Sequence, residues 1–175
     1  MITSDDRLFC LLFSAESGIG IGRLNCYTYM FQKLGFVLDY PFRINVSGVR
    51  SKSFARYLED KVSTGLVVQK NGTIVLTRDS SLILENFILS YNELSTVDRI
   101  KKTLDGLSDE ELYLVCIVDI IIEDVIKTKG VDALVTSRNF IETSVKNLCS
   151  EYTEENFNLA VALIRRLKKE CSLNE

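Results

Sequence analysis

Along most of this chain apolar residues recur at spacings of three and four, the mark of helices that bury one face. Residues 5–16, rich in Leu and Phe, predict a mostly buried helix, capped by Ser4 or Asp5 and ended by Ser17-Gly18. A second helix is expected from Arg23 to Leu34, with Leu24, Tyr27, Phe31 and Leu34 on one face and Gly35 as its stop. The single proline, Pro41, argues for extended or turn structure over residues 39–42. Phe54, Leu58 and Val62 then predict a third helix, beginning near Ser51 and ending at Gly65. There the period changes. Leu66-Val67-Val68 and Ile74-Val75-Leu76 flank Asn71-Gly72, the pair that suits a type I′ hairpin turn because both positions need positive φ.

From Asp79 onward the pattern is helical only. Asp79 to Tyr91 and Ser95 to Leu104 predict two helices. A long one should run from Glu110 to Lys127, opened by a capping box of Ser108 and Glu111 and ended at Gly130. Another is expected over Val131 to Leu148. The last, capped by Thr153, covers Glu154 to Lys169, and its basic run Arg165-Arg166-Lys168-Lys169 suits the negative end of a helix dipole. Helix, helix, extended segment, helix and two-stranded wing is the order of a winged helix-turn-helix. The expected fold class is therefore α+β, mostly α. Residues 1–80 would form an N-terminal winged-helix domain with a small β-hairpin wing, and residues 81–175 a C-terminal helical bundle.

Charge sharpens this picture. Within residues 42–78 seven cations (Arg43, Arg50, Lys52, Arg56, Lys61, Lys70 and Arg78) face two acids (Glu59 and Asp60), a net of +5. The whole chain carries −3, which leaves −8 for the remainder. Such asymmetry bears on partners rather than on fold.

Composition closes off much chemistry. With no histidine, Ser-His-Asp and Cys-His nucleophile systems and histidine zinc sites are excluded, so a catalyst is not expected, nor a metal or other cofactor. The five cysteines are odd in number and widely spaced, as expected of reduced thiols in a cytoplasmic core. The longest apolar run, Leu114 to Ile122, is broken by Asp119 and falls short of the ~18 apolar residues of a membrane span. The acidic N-terminus argues against a signal peptide.

Three constellations invite a functional reading. Gly18-Ile19-Gly20-Ile21-Gly22 has the glycines of a nucleotide loop, but a helix is expected before it and no Gly-Lys-Ser/Thr follows, so an inter-helix turn is the better reading. Asp119 and Glu123 lie one helical turn apart and would suit a divalent cation, though a structural pairing with a lysine or arginine is favoured. The sharpest candidates for binding a partner protein or nucleic acid are Arg43, Arg50, Lys52, Arg56, Lys70 and Arg78. Lys52 and Arg56 fall in the first half of the third helix, where recognition helices meet base edges, and Lys70 at the wing tip is placed for a phosphate. Against DNA stand Glu59 and Asp60 on the same helix, a pairing of Asp60 with Arg56, and a sequence pI of about 5.2. The aromatic residues Tyr27, Tyr29, Phe31, Phe54 and Tyr57 have the spacing of core positions, as do Phe9 and Phe13.

Several short motifs in residues 23–77 and just before them carry a family resemblance: Gly22-Arg23-Leu24, Tyr40-Pro41-Phe42-Arg43, Gly48-Val49-Arg50-Ser51, Gly65-Leu66-Val67 and Leu76-Thr77. The stretch resembles the N-terminal module of the YwgA-like and SocA-like (Panacea) bacterial proteins. Val49 stands where that family has proline, Ser47 where it has an aromatic residue, and Cys26 where lysine is common. The resemblance implies a non-enzymatic, antitoxin-like accessory protein of a bacterial defence or mobile-element operon. Such a protein would act by binding a partner protein, with a winged-helix DNA-binding regulator as the alternative and a homodimer left open.

Overall fold

A computed structural model describes Asp6, residues 18–77, 91–150 and 152–171, with the main chain alone at 91–93. The helices expected over residues 5–16 and 79–91 therefore lie largely outside the described residues, as do Cys10 and Arg78. The described part is α+β and mostly helical, with two small antiparallel sheets.

The chain enters through β1 (Ile19–Gly20) and passes at once into α1 (Ile21–Lys33). A short hairpin follows, β2 (Arg43–Asn45) and β3 (Gly48–Arg50), then α2 (Lys52–Ser63) and a second hairpin, β4 (Val67–Lys70) and β5 (Thr73–Leu76). The helical part comprises α3 (Tyr91–Asp105), α4 (Asp109–Lys129), the single turn α5 (Ala133–Thr136), α6 (Arg138–Leu148) and α7 (Glu154–Cys171).

Two expectations change. The glycine segment is not a plain turn between helices: Ile19 and Gly20 pair antiparallel with Ile74 and Thr73, giving a sheet of order β1–β5–β4. Ile21 N–H also donates to Gly72 O at 3.0 Å, so the start of α1 is tied to the hairpin turn. The helix expected over Val131 to Leu148 is broken, with Ser137 lying between α5 and α6. The β2–β3 hairpin is an addition that no periodicity announced, because each strand is three residues long and only Val49 is fully buried.

Elsewhere local chemistry acts as expected. Asn71 and Gly72 both adopt positive φ (51° and 76°), the requirement of the tight turn between β4 and β5. Ser51 caps α2 by accepting from Phe54 N–H. Ser108 and Glu111 form the reciprocal capping box that opens α4.

One core joins the described elements. Helix α1 buries every residue from Leu24 to Phe31, and α4 buries Leu112, the run Leu114–Asp119, Ile121 and Val125. Helices hidden on nearly all sides are central ones. The two pack on each other, with β2–β3 also against α4, and with α6 and α7 against its other sides. Arg23 of α1 stitches the contact at one end, donating to the carbonyls of Leu104 (2.8 Å) and Leu107 (3.0 Å) and pairing with Asp109 at 2.7 Å. Beside it the Tyr27 hydroxyl donates to Asp105.

Among the described glycines, Gly18 has the least room for a side chain. Its φ is +74°, and a Cβ there would stand 2.8 Å from Ile74 O and 2.7 Å from a Val75 methyl. Gly18→Ala is expected to cost about 2 kcal/mol of stability, through strain and clash together. Urea unfolding should show this as a lower midpoint at unchanged slope.

Candidate functional site

The segment that carries the first candidate residues is held by aromatic contacts. Tyr40 packs edge-on to Phe54 of α2 (centroids 5.0 Å apart), Phe42 reaches Tyr29 of α1 (5.7 Å), and Phe54 stacks with Tyr57 (6.0 Å). Gln32 of α1 clips the same segment, its amide bonding both Tyr40 N–H (2.9 Å) and Tyr40 O (3.2 Å). The chain thus leaves Phe42 in a fixed direction and enters β2 at Arg43.

Across the β2–β3 ladder Arg43 lies directly opposite Arg50. Arg50 is followed by the cap Ser51 and by Lys52, the first residue of α2, with Arg56 one turn further on the exposed side. These four expected residues, two paired across the hairpin and two on the helix that directly follows it, make up a basic ridge. Lys70 is exposed on the other sheet, at the last position of β4. Arg78 lies outside the described residues. Among the described residues none of Arg43, Arg50, Lys52, Arg56 and Lys70 makes an ion pair. Arg50 donates to Ser47 O, at 3.3 Å.

Lys61 belongs to a different arrangement. It pairs with Asp6 at 2.8 Å and Asp60 at 3.6 Å, and its ammonium lies 4.9 Å from the centre of the Tyr57 ring. Burial works to lower its pKa, but the bond to Asp6 and both carboxylate charges raise it. Asp60 therefore serves Lys61 and not, as expected, Arg56.

The ridge is costly where it stands. Like charges directly opposite on a ladder repel, by a few tenths of a kcal/mol or more. Lys52, the first residue of α2, sits at the positive end of the helix dipole, where a cation is unfavourable, although Lys61 in the last turn is well placed. Among the described residues no ion pair of Arg43, Arg50 or Lys52 offsets these terms.

Arg43 also borders a cleft of about 500 Å³ between α1, residues 40–44, α4 and α6. Tyr40, Phe42, Lys127, Phe140 and Leu148 line it. Sequence reasoning missed this feature because its walls come from distant parts of the chain. The signal was Phe140, apolar yet off the buried Ile141–Val145 face of α6 and exposed.

Asp119 and Glu123, the other acidic candidates, form a charge network behind the cleft. Asp119 is wholly buried; one carboxylate oxygen accepts from the Tyr29 hydroxyl at 2.6 Å and the other lies 2.8 Å from Lys168 Nζ. Lys168 also bonds Glu123 (3.0 Å), whose second oxygen accepts from Lys33 (3.1 Å). Two carboxylates meet two ammonium groups, so the group is neutral. Burial raises the Tyr29 pKa, and the adjacent Asp119 charge raises it further, so the phenol stays a donor. Burial alone would raise the Glu123 pKa, but Lys168 and Lys33 hold it below the ordinary carboxylate value. This is the structural pairing favoured above. Among the described residues no group of three His, Cys, Asp or Glu side chains is placed to hold a metal ion.

Cys26, Cys116, Cys149 and Cys171 are buried free thiols, and Tyr27, Tyr29, Phe31 and Phe54 are core residues. No helix among the described residues is long and apolar enough to cross a membrane. Comparison with family models, curated proteins and solved structures gives no match.

Two outcomes follow from these energetics. Lys52→Glu should stabilise the chain by about 0.5 kcal/mol, since an acid then sits at the helix N-terminus; thermal melting checks the sign. Lys168→Ala should destabilise by about 3 kcal/mol, because Asp119 is left buried without its cation. Adding Asp119→Asn should return most of that loss, measured by urea unfolding of both variants.

Proposed function

We propose that this chain is a non-enzymatic accessory or regulatory protein that docks an acidic partner protein on the ridge of Arg43, Arg50, Lys52 and Arg56. The carrying observation is that Arg43 faces Arg50 across the hairpin and Lys52 opens α2, each without an ion pair among the described residues and each in a position that costs the fold stability. A partner's carboxylates would neutralise them on binding, and charge complementarity would speed and orient the encounter.

The winged-helix reading draws support from topology. A helix followed by a hairpin, with a short early strand added beside the second hairpin strand, is the arrangement in which a winged helix holds its recognition helix and wing. Here the β2–β3 hairpin, inserted before α2, supplies half of the ridge. The resemblance to the YwgA-like and SocA-like proteins points the same way, to an antitoxin-like component of a bacterial defence system.

Nucleic acid is the second reading, favoured by Lys52 and Arg56 at the start of α2 and by Lys70 at the hairpin end. Glu59 and Asp60 on the exposed side of the same helix weigh against it, since they would face phosphates.

The test uses the wild-type chain and Arg43→Glu/Arg56→Glu as baits in extracts of the source organism. One dominant partner, retained by the wild type and lost by the variant, is expected. In parallel, anisotropy with mixed-sequence duplex DNA from ~50 to ~200 mM salt should show no ridge-dependent binding. Tight DNA binding with a steep salt slope, lost in the variant, would transfer the ridge to the second reading.

A further inference from the structure

The C-terminal helix has a second face that neither the core nor the ridge uses. Phe157, Ala160, Ile164, Leu167 and Cys171 of α7 point into the core. Glu155, Leu159, Ala162 and Arg166, at steps of four, three and four, form one stripe on the outer side. All four are exposed, Leu159 by 61% of its surface. Beside the stripe α4 and α7 leave an apolar groove of about 360 Å³, in which Leu107, Leu114 and Leu163 join Leu159 and Ala162. Neither Glu155 nor Arg166 makes an ion pair among the described residues.

We propose that this face is the interface of a two-fold homodimer in which α7 packs antiparallel on α7 of a second copy. The occupant follows from the stripe's own symmetry. Glu155 and Arg166 are centred on the midpoint between Ala160 and Val161, and so are Leu159 and Ala162. A two-fold axis through that midpoint sets Glu155 against Arg166 of the second copy, and the large Leu159 against the small Ala162. Both pairs then occur twice, as an isologous interface requires. A parallel arrangement would instead set Glu155 on Glu155 and Arg166 on Arg166. The second copy's Leu159 falls beside the groove, where Leu163 and Leu114 supply apolar walls.

One helix pair with its flanking groove buries less than a standard interface, so association belongs in the micromolar range rather than the nanomolar. The basic ridge takes no part in this contact, and the proposal stands apart from the partner-docking reading.

Sedimentation equilibrium of the full chain from ~5 to ~500 µM, a span that covers weak interfaces, is the test. The wild type should shift from monomer to dimer within it. Glu155→Arg and Arg166→Glu, each on the exposed side, should each weaken dimerisation by roughly tenfold or more, since two ion pairs become two repulsions. Mixing the two variants should restore association. One copy then carries a base at both stripe ends and the other an acid at both, so each contact again joins opposite charges. A wild-type chain that stays monomeric at the top concentration overturns the proposal, as it would if the face served an unrelated protein. A dimer indifferent to both variants, or singles that the mixture fails to rescue, overturns it equally.

Discussion

A carboxylate buried in the middle of α4 constrains how the helices of this protein can meet. An isolated charge at that depth would cost several kcal/mol, so Asp119 needs partners, and α4 carries no lysine or arginine before Lys127. They come from two other helices: the hydroxyl of Tyr29 from α1 and the ammonium of Lys168 from α7. Glu123 and Lys33 extend the same network by one turn. Helices that must bring a hydroxyl and an ammonium to one carboxylate have little freedom to slide or rotate. The network thus converts general apolar attraction among α1, α4 and α7 into one register.

The outer features inherit that register. Because α1 is fixed on α4, Gln32 and Tyr29 are fixed too, and they hold the segment of Tyr40 and Phe42 that delivers Arg43 to the surface. Because α7 is fixed on α4, the side of α7 opposite the core is directed outward, with Leu159 and its flanking charges on it. The basic ridge and the α7 stripe therefore stand on rigid elements. A surface meant for recognition benefits from this, since less ordering remains to be done on binding.

The two surfaces differ in what they cost. On α7 the acids sit at the N-terminus and the bases at the C-terminus, in accord with the dipole, so those charges help the isolated helix. On α2 a cation, Lys52, sits at the positive end, and Arg43 opposes Arg50 on the neighbouring hairpin. Charges that stabilise their own helix need no further reason to be present. Arg43, Arg50 and Lys52 gain no such support from their own elements.

What the chain determined locally was legible without coordinates. The Asn71-Gly72 turn, the Ser108–Glu111 capping box, the Ser51 cap and the apolar periods of α1, α2 and α4 act within a few residues, so composition and spacing suffice to place them. The clustering of cations within residues 42–78 was equally visible. Tertiary structure decided the remainder. The β1 strand at the glycines exists only because β5 lies beside it, and two or three residues carry no period of their own. The β2–β3 hairpin is stabilised by burying Val49 in the shared core. The partnership of Lys61 with Asp6, and of Asp119 with Lys168, depends on which side chains approach through space. Local preferences are written in neighbouring residues; pairings between distant helices depend on how those helices pack, which no single stretch of sequence contains.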